Sequence, residues 1–302
     1  MTNSLNENSC RLVSSRGILK SCDVYSQTPI SSINDLINYP WDRLKNGSTI
    51  YVCTSALGKF AQLLDQIPCS FILVSGDADE SAPVDIFQSE IDFLKFINNP
   101  KLIHWFAQNA VVSHPKFSPI PIGLDYHTMT QGESSWGPQL SSVEQENQLN
   151  DIRNKAAPLP QRLLKAHANF HFLMNTKFGY NRLRAREFFP SDLIDYEPHR
   201  VNRQTTWINQ SKYVFVASPW GNGLDCHRTW EALCLGCIPI VCTSPIDSLF
   251  ENLPVYIVKD WPEVTPDALE NIAKKFSEQN FDFNRLTLKY WVDKINSKKP
   301  QG

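Results

Sequence analysis

One segment, residues 213–241, constrains the fold of this chain most, because it predicts two strands joined by a loop and a helix. Tyr213–Ala217 and residues 238–241 are short apolar runs of the kind that form buried strands. Residues 227–235 favour a helix, and Gly236 follows where helices often end in the left-handed conformation. We therefore expect a βαβ unit with parallel strands and a right-handed crossover.

The loop before this helix offers groups that bind a diphosphate. Gly221 and Gly223 allow a close approach of the backbone. A helix N-terminus presents unpaired N–H groups and a partial positive charge. His227 and Arg228 add side-chain donors at this end, and Asp225 is expected to cap the helix. The loop therefore predicts a phosphate site.

The residues around this loop extend the predicted site to the rest of a nucleotide. Glu231 lies one turn after His227, on the same helix face, where its carboxylate would accept hydrogen bonds from ribose hydroxyls. Ser218, Asn222 and Gly223 are expected to line the phosphates and the sugar. Each residue alone also fits an ordinary turn or a solvated helix face. Their convergence at the carboxyl end of a buried strand favours a nucleotide-diphosphate site.

The sequence at positions 218–241, SPWGNGLDCHRTWEALCLGCIPIV, resembles the donor-site signature of the exostosin-like glycosyltransferases, which form family 47. Glu231, followed by Gly236 and Pro239, is also similar to a pattern shared by nucleotide-sugar transferases with the GT-B fold. The close resemblance covers residues 205–270. It implies an enzyme that transfers a sugar from a UDP-sugar to a glycan acceptor, with inversion at the anomeric carbon.

The resemblance extends to the soluble members of this family from bacteria and large viruses of algae. Since the short soluble forms resemble xylosyltransferases, UDP-xylose is the first choice of donor. The alternative is a non-catalytic protein on the same fold that binds a nucleotide sugar or a glycan, but His227, Arg228 and Glu231 are all retained. A dehydrogenase or an epimerase would carry G-x-G-x-x-G after its first strand, and this chain does not.

Alternating strands and helices predict parallel α/β structure. With the layout that the resemblance implies, the expected fold class is α/β of the GT-B type, with two Rossmann-like domains facing a central cleft. Residues 1–160 are expected to form an N-terminal acceptor-binding domain, and residues 161–280 a C-terminal domain that binds the nucleotide sugar. Residues 281–302 are expected to form a C-terminal helix that packs back on the N-terminal domain.

Apolar patterning predicts the individual elements. Strands are expected at residues 49–53, 70–74, 102–106, 170–175 and 254–258, and helices at residues 31–38, 55–67, 86–97, 181–189, 205–211, 266–278 and 283–295. The helix at residues 181–189 carries Arg182, which would add a further donor to the diphosphate site. A solvated basic helix face explains this arginine equally well.

The acceptor hydroxyl requires a base, and the candidates follow a predicted strand of the first domain. The loop SGDADE at residues 75–80 contains Asp77 and Asp79. Asp79 is the predicted base and Asp77 its alternate, and both are expected to contact the acceptor. Shaping a turn or capping a helix is an equally good role for either residue. Further candidates are His127, Asp125 and Glu80.

No metal site is expected, because GT-B enzymes generally use cationic side chains in place of a divalent metal. The D-x-D sequence at residues 77–79 is the feature that would argue otherwise. Among the eight cysteines, Cys234 and Cys237 form a C-x-x-C pair. Free thiols are favoured over a zinc site, since no second ligand pair has matching spacing.

Composition excludes several other classes of function. The 302 residues carry a net charge of −2, so no nucleic-acid partner is expected. No stretch approaches the roughly 20 apolar residues of a membrane span, and the N-terminus lacks the pattern of a signal peptide. We therefore expect a cytoplasmic protein, in the host cytoplasm if the source is a virus.

Overall fold

The computed structural model describes residues 7–172 and 175–300, and its first half is built on a four-stranded parallel sheet. The sheet order follows the chain and consists of β1 (Ser48–Cys53), β2 (Phe71–Gly76), β3 (Leu102–Ala107) and β4 (Phe117–Pro119). The helices of this half are α1 (Ser15–Lys20), α2 (Leu57–Gln62) and α3 (Glu90–Ile97). Every residue of β1 and β2 is buried, as expected when both faces of a parallel sheet are covered.

Two helices connect this sheet to the second half of the chain. They are α4 (His127–Thr130) and α5 (Ser142–Lys155). A capping box begins α5, because Ser141 accepts from the N–H of Glu144 and the Glu144 side chain accepts from the N–H of Ser141. These two reciprocal hydrogen bonds define where the helix starts.

The second half contains a five-stranded parallel sheet. Its strands, in chain order, are β5 (Leu163–Ala168), β6 (Ile194–Tyr196), β7 (Tyr213–Ala217), β8 (Ile238–Cys242) and β9 (Tyr256–Val258). The spatial order is β6-β5-β7-β8-β9. Its helices are α6 (Tyr180–Phe188), α7 (Arg203–Gln210), α8 (His227–Cys234) and α9 (Pro266–Glu278).

The predicted fold class, α/β with two Rossmann-like halves, is confirmed by these two parallel sheets. The predicted βαβ unit is present as β7, α8 and β8, and β7 pairs with β8 in parallel. Gly236 ends this helix with φ of +70°, in the left-handed region that favours glycine. The two sheets lie on either side of residue 160, and the boundaries of the domains stay a prediction.

Two predicted elements are wrong. No helix forms at residues 31–38, because Ser32 and Asn38 both adopt a φ of +56°, which a right-handed helix excludes. The strand predicted at residues 170–175 is not found at residues 170–172 or 175, and the other two positions, Leu173 and Met174, lie outside the described residues. The strand that occupies this place in the sheet is β5, which ends at Ala168.

The two halves share one continuous apolar core. A single cluster joins Val74 and Phe106 of the first sheet to Val216 of the second and to Trp230 of α8. The last helix, α10 (Leu288–Asn296), contributes Trp291 to the same cluster. The segment before α10 pairs with the N-terminal segment, because the N–H of Val13 donates to Leu286 O at 2.9 Å and that of Leu288 to Arg11 O at 2.9 Å. The shared core and this pairing fix the positions of the two sheets relative to each other.

Within the two described ranges, no helix has the length and apolar content required to cross a membrane.

We expect Gly236→Ala to destabilise the protein by about 1–3 kcal/mol, because an alanine at a φ of +70° is strained. Gly58 is the matched control, since it lies inside α2 with no atom within 4 Å of an added Cβ. Gly58→Ala should leave stability unchanged or raise it by about 0.4–1 kcal/mol. Urea unfolding of both variants measures the difference, and equal midpoints would refute the helix-end role of Gly236.

Candidate active site

A cleft of about 580 Å³ opens between the two halves of the molecule. Its lining comes from the segments that follow β2, β4, β5, β6 and β7, and therefore from the carboxyl ends of these strands. Open α/β sheets bind ligands at this edge. The cleft contains most of the predicted site residues, and these are Asp79, Arg182, Asn222, Gly223, Asp225, His227, Arg228 and Glu231.

Two of the predicted residues do not line the cleft. Ser218 is buried, and its Oγ lies 2.8 Å from Thr229 Oγ1, which ties the end of β7 to α8. Asp77 is also buried, with a φ of +57°, and forms an ion pair with Arg16 at 3.3 Å. It accepts a further hydrogen bond from Ser31 Oγ at 2.7 Å. Both side chains are therefore occupied by contacts within the fold.

Asp225 does not cap α8 as predicted. Cys226 occupies the N-cap position, and no side chain caps the helix. The Asp225 carboxylate points inward, where Oδ2 accepts from the N–H of Ile122 at 2.7 Å and Oδ1 accepts from Trp230 Nε1 at 2.9 Å. Burial raises the pKa of this carboxyl to about 6, although these hydrogen bonds oppose the shift. Asp225 thus joins the two sheets, and the start of α8 keeps its N–H groups free of a side-chain cap.

The glycine loop is bonded to the loop that carries Asp79. Asn109, with a φ of +52°, donates from Nδ2 to Asp79 O at 3.2 Å and accepts at Oδ1 from the N–H of Asp225 at 2.9 Å. A Cβ on Gly223 would lie 2.7 Å from Asn109 Nδ2 and 3.1 Å from Asp79 O. Only glycine therefore allows this approach, which brings the loop that carries Asp79 against the loop that precedes α8.

Two arginines converge on the same loop. Arg228 donates from Nε to Asn169 Oδ1 at 3.0 Å and from Nη1 to Pro219 O at 3.3 Å. Arg182 donates from Nε to Trp220 O at 2.9 Å. Burial, helped by the charge of Arg228, lowers the pKa of Arg182 to about 10, so the group stays cationic at neutral pH. These two fixed cations lie beside the N-terminus of α8 and create a strongly positive wall.

His227 is the first residue of α8 and contacts the other half of the molecule. Its Nδ1 lies 2.7 Å from Gly123 O. Because a carbonyl only accepts, Nδ1 is the protonated nitrogen and donates to it. This bond leaves Nε2 available to accept a proton or, in the charged form, to donate to an anion. The position suits an assisting role beside Arg228.

Asp79 is an acidic residue of the cleft lining from the first half of the chain, and its side chain is exposed at the cleft surface. The protein atoms that crowd the cleft partly desolvate the carboxyl and raise its pKa, while a hydrogen bond with Asn222 opposes the shift. The neighbouring Glu80 raises the pKa further and His227 lowers it. Of the two aspartates in the SGDADE loop, only Asp79 lines the cleft.

Glu231 lines the cleft and also forms an ion pair with Arg203. The position of Glu231 in the sequence did not indicate this partner. Arg203 Nη2 lies 3.2 Å from Glu231 Oε1, and both side chains are almost fully buried. Arg203 belongs to no binding motif in the sequence. The one signal available is its spacing on the buried face of α7 with Thr206, Trp207 and Gln210. An arginine at such a position requires a buried partner.

Other lining residues were also missed by sequence reasoning. They are Trp136, Asn169 and residues 196–201, which begin at the last residue of β6. Among the described residues, no group of three or more His, Cys, Asp or Glu side chains is placed to hold a metal ion. Each of the eight cysteines is a free thiol.

Comparison with known proteins gives matches among solved structures. No protein-family model and no curated protein matches the chain. Among solved structures, the chain is similar to α,α-trehalose 6-phosphate synthase from Burkholderia multivorans, with 13% identity, coverage of 85% of this chain and 72% of that chain, and a TM-score of 0.42. It is also similar to an α,α-trehalose-phosphate synthase (UDP-forming) from Burkholderia vietnamiensis, with 11% identity, coverage of 85% and 73%, and a TM-score of 0.44.

A structure from E. coli bound with UDP-2-fluoro glucose gives 8% identity, coverage of 86% and 72%, and a TM-score of 0.35. Similarity at this level carries no conclusion about activity, and exostosin-like membership stays a prediction. The assignment of the α/β class rests on the two parallel sheets of this chain.

Asp225 should make stability depend on pH. A carboxyl with a pKa of about 6 in the native state binds a proton more tightly than it does in the unfolded chain, so its contribution to stability is lost as pH rises from about 4 to about 6. Asp225→Asn removes this contribution, so between about pH 4 and about pH 6 the unfolding free energy of the variant should fall by about 2 kcal/mol less than that of the native protein. An unchanged pH dependence in the variant would exclude the buried, protonatable Asp225.

Proposed function

We propose that this protein is a glycosyltransferase that moves a sugar from a UDP-sugar to a hydroxyl group of a glycan acceptor. The observation that carries the proposal is the polarity of the cleft. The lining brings together Arg228, Arg182 and the uncapped N-terminus of α8 from the second half of the chain with the carboxylate of Asp79 from the first half. A diphosphate leaving group and an acceptor hydroxyl require these two kinds of group in one cleft.

The positive wall stabilises the leaving diphosphate. When the bond between the anomeric carbon and the phosphate oxygen breaks, negative charge develops on UDP. Arg228 and Arg182 are already held by carbonyl and amide oxygens, so they need not reorganise as that charge appears. His227 assists from the first turn of α8. Because these groups supply the positive charge, the proposal involves no divalent metal.

The first half of the chain supplies the base. Asp79 accepts the proton of the acceptor hydroxyl while that oxygen forms its bond to the anomeric carbon and UDP departs. A raised pKa brings the carboxyl nearer to the pH at which it works and strengthens it as a base. One base and direct displacement give inversion at the anomeric carbon, in agreement with the resemblance to the exostosin-like family.

The remaining cleft residues orient the donor. Asn222 and Gly223 contact the phosphates, and Glu231 accepts hydrogen bonds from the ribose hydroxyls. On this proposal the first half of the chain binds the acceptor and the second half binds the donor. Xylose is the proposed sugar, on the strength of the family resemblance to xylosyltransferases, and a thermal-shift comparison of UDP-sugars identifies the donor.

Arg228→Met should weaken UDP binding by about 10- to 100-fold, because the lost hydrogen bonds and charge face the diphosphate. Arg184→Met is the matched control, since Arg184 lies on α6 and pairs with Asp260 on the surface. Isothermal titration with UDP measures both. Equal affinities for UDP in the two variants would place the diphosphate elsewhere.

Asp79→Asn should leave UDP binding unchanged and slow transfer by about 10²–10⁴-fold, because the amide cannot accept the acceptor proton. Asp151→Asn, on the exposed face of α5, serves as control. Transfer is followed as UDP release from the identified donor in the presence of a glycan acceptor and EDTA. Native turnover by Asp79→Asn would assign the base to another residue.

A further inference from the structure

The guanidinium of Arg203, the first residue of α7, contacts two aromatic rings and two hydrogen-bond acceptors. It lies 4.2 Å from the ring of Trp136 and 5.5 Å from the ring of Trp207. Nη1 donates to Asp125 O, and to Gln145 Oε1 at 3.2 Å. These contacts come from both halves of the molecule, so the orientation of the guanidinium is fixed before any ligand binds.

The remaining edge of the guanidinium faces acid groups. Nη2 lies 3.2 Å from Glu231 Oε1 and 3.9 Å from Asp125 Oδ2. Nη2 is buried and has no hydrogen-bond partner of good geometry among the described residues, so these contacts act through charge. The Arg203 and Glu231 side chains are only 4% and 8% exposed. Arg203 is therefore the direct counter-ion of Glu231.

A buried carboxylate that loses its counter-ion takes up a proton more readily, since burial penalises the charged form. Protonation matters for recognition because an ionised carboxylate accepts hydrogen bonds at both oxygens, whereas a carboxylic acid uses one oxygen as a donor. A pair of vicinal hydroxyl groups donates to both oxygens of a carboxylate. The charge state of a carboxylate thus affects how well it binds vicinal hydroxyl groups.

We propose that Arg203 is a positioning residue that keeps Glu231 ionised and oriented toward the ribose hydroxyls of the donor. This inference rests on the proposed function, in which Glu231 binds the ribose. The other charged or titratable groups around Glu231 include His227, Arg228 and Cys234 of its own helix and Asp125, which shares Arg203. Arg228 also acts on Glu231 through its charge, but its hydrogen bonds go to Asn169 and Pro219, and the ion pair of Glu231 is the one with Arg203 at 3.2 Å.

The test measures UDP affinity by isothermal titration at about pH 8 and about pH 6. Arg203→Met should bind UDP about tenfold more weakly than the native protein at about pH 6 and should recover part of the loss at about pH 8. At each pH, dividing the Kd of the variant by the Kd of the native protein cancels the effect of the titration of UDP itself. Arg203→Lys retains the charge and should keep more of the affinity. If Arg203→Met does not fold, the Lys variant carries the test.

Three comparisons separate this role from a structural one. Arg285→Met removes an equally buried arginine that bonds Leu249 O outside the cleft lining, and it should lower stability without changing UDP affinity. In a Glu231→Gln background, Arg203→Met should cause little further loss, because a neutral amide needs no counter-ion. The 2′,3′-dideoxy analogue of UDP should bind Arg203→Met and the native protein equally.

The outcomes distinguish the two proposals. If the native protein does not bind UDP, or Glu231→Gln binds UDP as the native protein does, the donor assignment fails and this inference fails with it. If Glu231→Gln weakens UDP binding but Arg203→Met matches the native protein at both pH values, only the role of Arg203 is wrong. Equal losses for UDP and its dideoxy analogue, or additive losses in the double variant, also overturn it.

Discussion

The structure depends on a small set of hydrogen bonds that close the two sheets onto each other at the glycine loop. Asp225 accepts from the N–H of Ile122, His227 donates to Gly123 O, and Asn109 bridges Asp79 and Asp225. Three of these bonds join segments more than a hundred residues apart in sequence. The fourth, from Asn109 to Asp79 O, joins two neighbouring loops. Together with the shared apolar core, they hold the N-terminus of α8 and the loop that carries Asp79 in one cleft lining.

The electrostatics of the cleft follow from this closure. Arg182, Arg228 and the start of α8 lie on one side, and each arginine is oriented by oxygen atoms of the protein. Burial weakens solvent screening, so these cations act more strongly on a ligand than surface arginines would. Deeper in the cleft, Arg203 balances Glu231 and Asp125, which keeps two carboxylates from facing each other unpaired. The cleft lining therefore combines fixed positive charge with a buried carboxylate, that of Glu231, whose charge is balanced by an arginine.

Sequence reasoning was most successful where structure is determined locally. The β7–α8–β8 unit was predicted because apolar runs and a terminal glycine depend on neighbours in the chain. It was wrong for residues 31–38, where the helical composition is overridden by two residues with positive φ, and for Asp225, whose carboxylate has partners in the other sheet and inside α8. Capping preferences alone do not reveal that a better-placed donor lies 103 positions away.

The sequence by itself determined the α/β class, the glycine loop before α8 and the cluster of His227, Arg228 and Glu231, because each is set by spacing along one segment. Only the tertiary structure decided which acid of the SGDADE loop lines the cleft. The left-handed turn at Asp77 directs that side chain to Arg16 and leaves Asp79 exposed. The partner of Glu231 was likewise decided by packing, since Arg203 reaches it only after α7 and α8 come together, and no local pattern encodes a contact between separate helices.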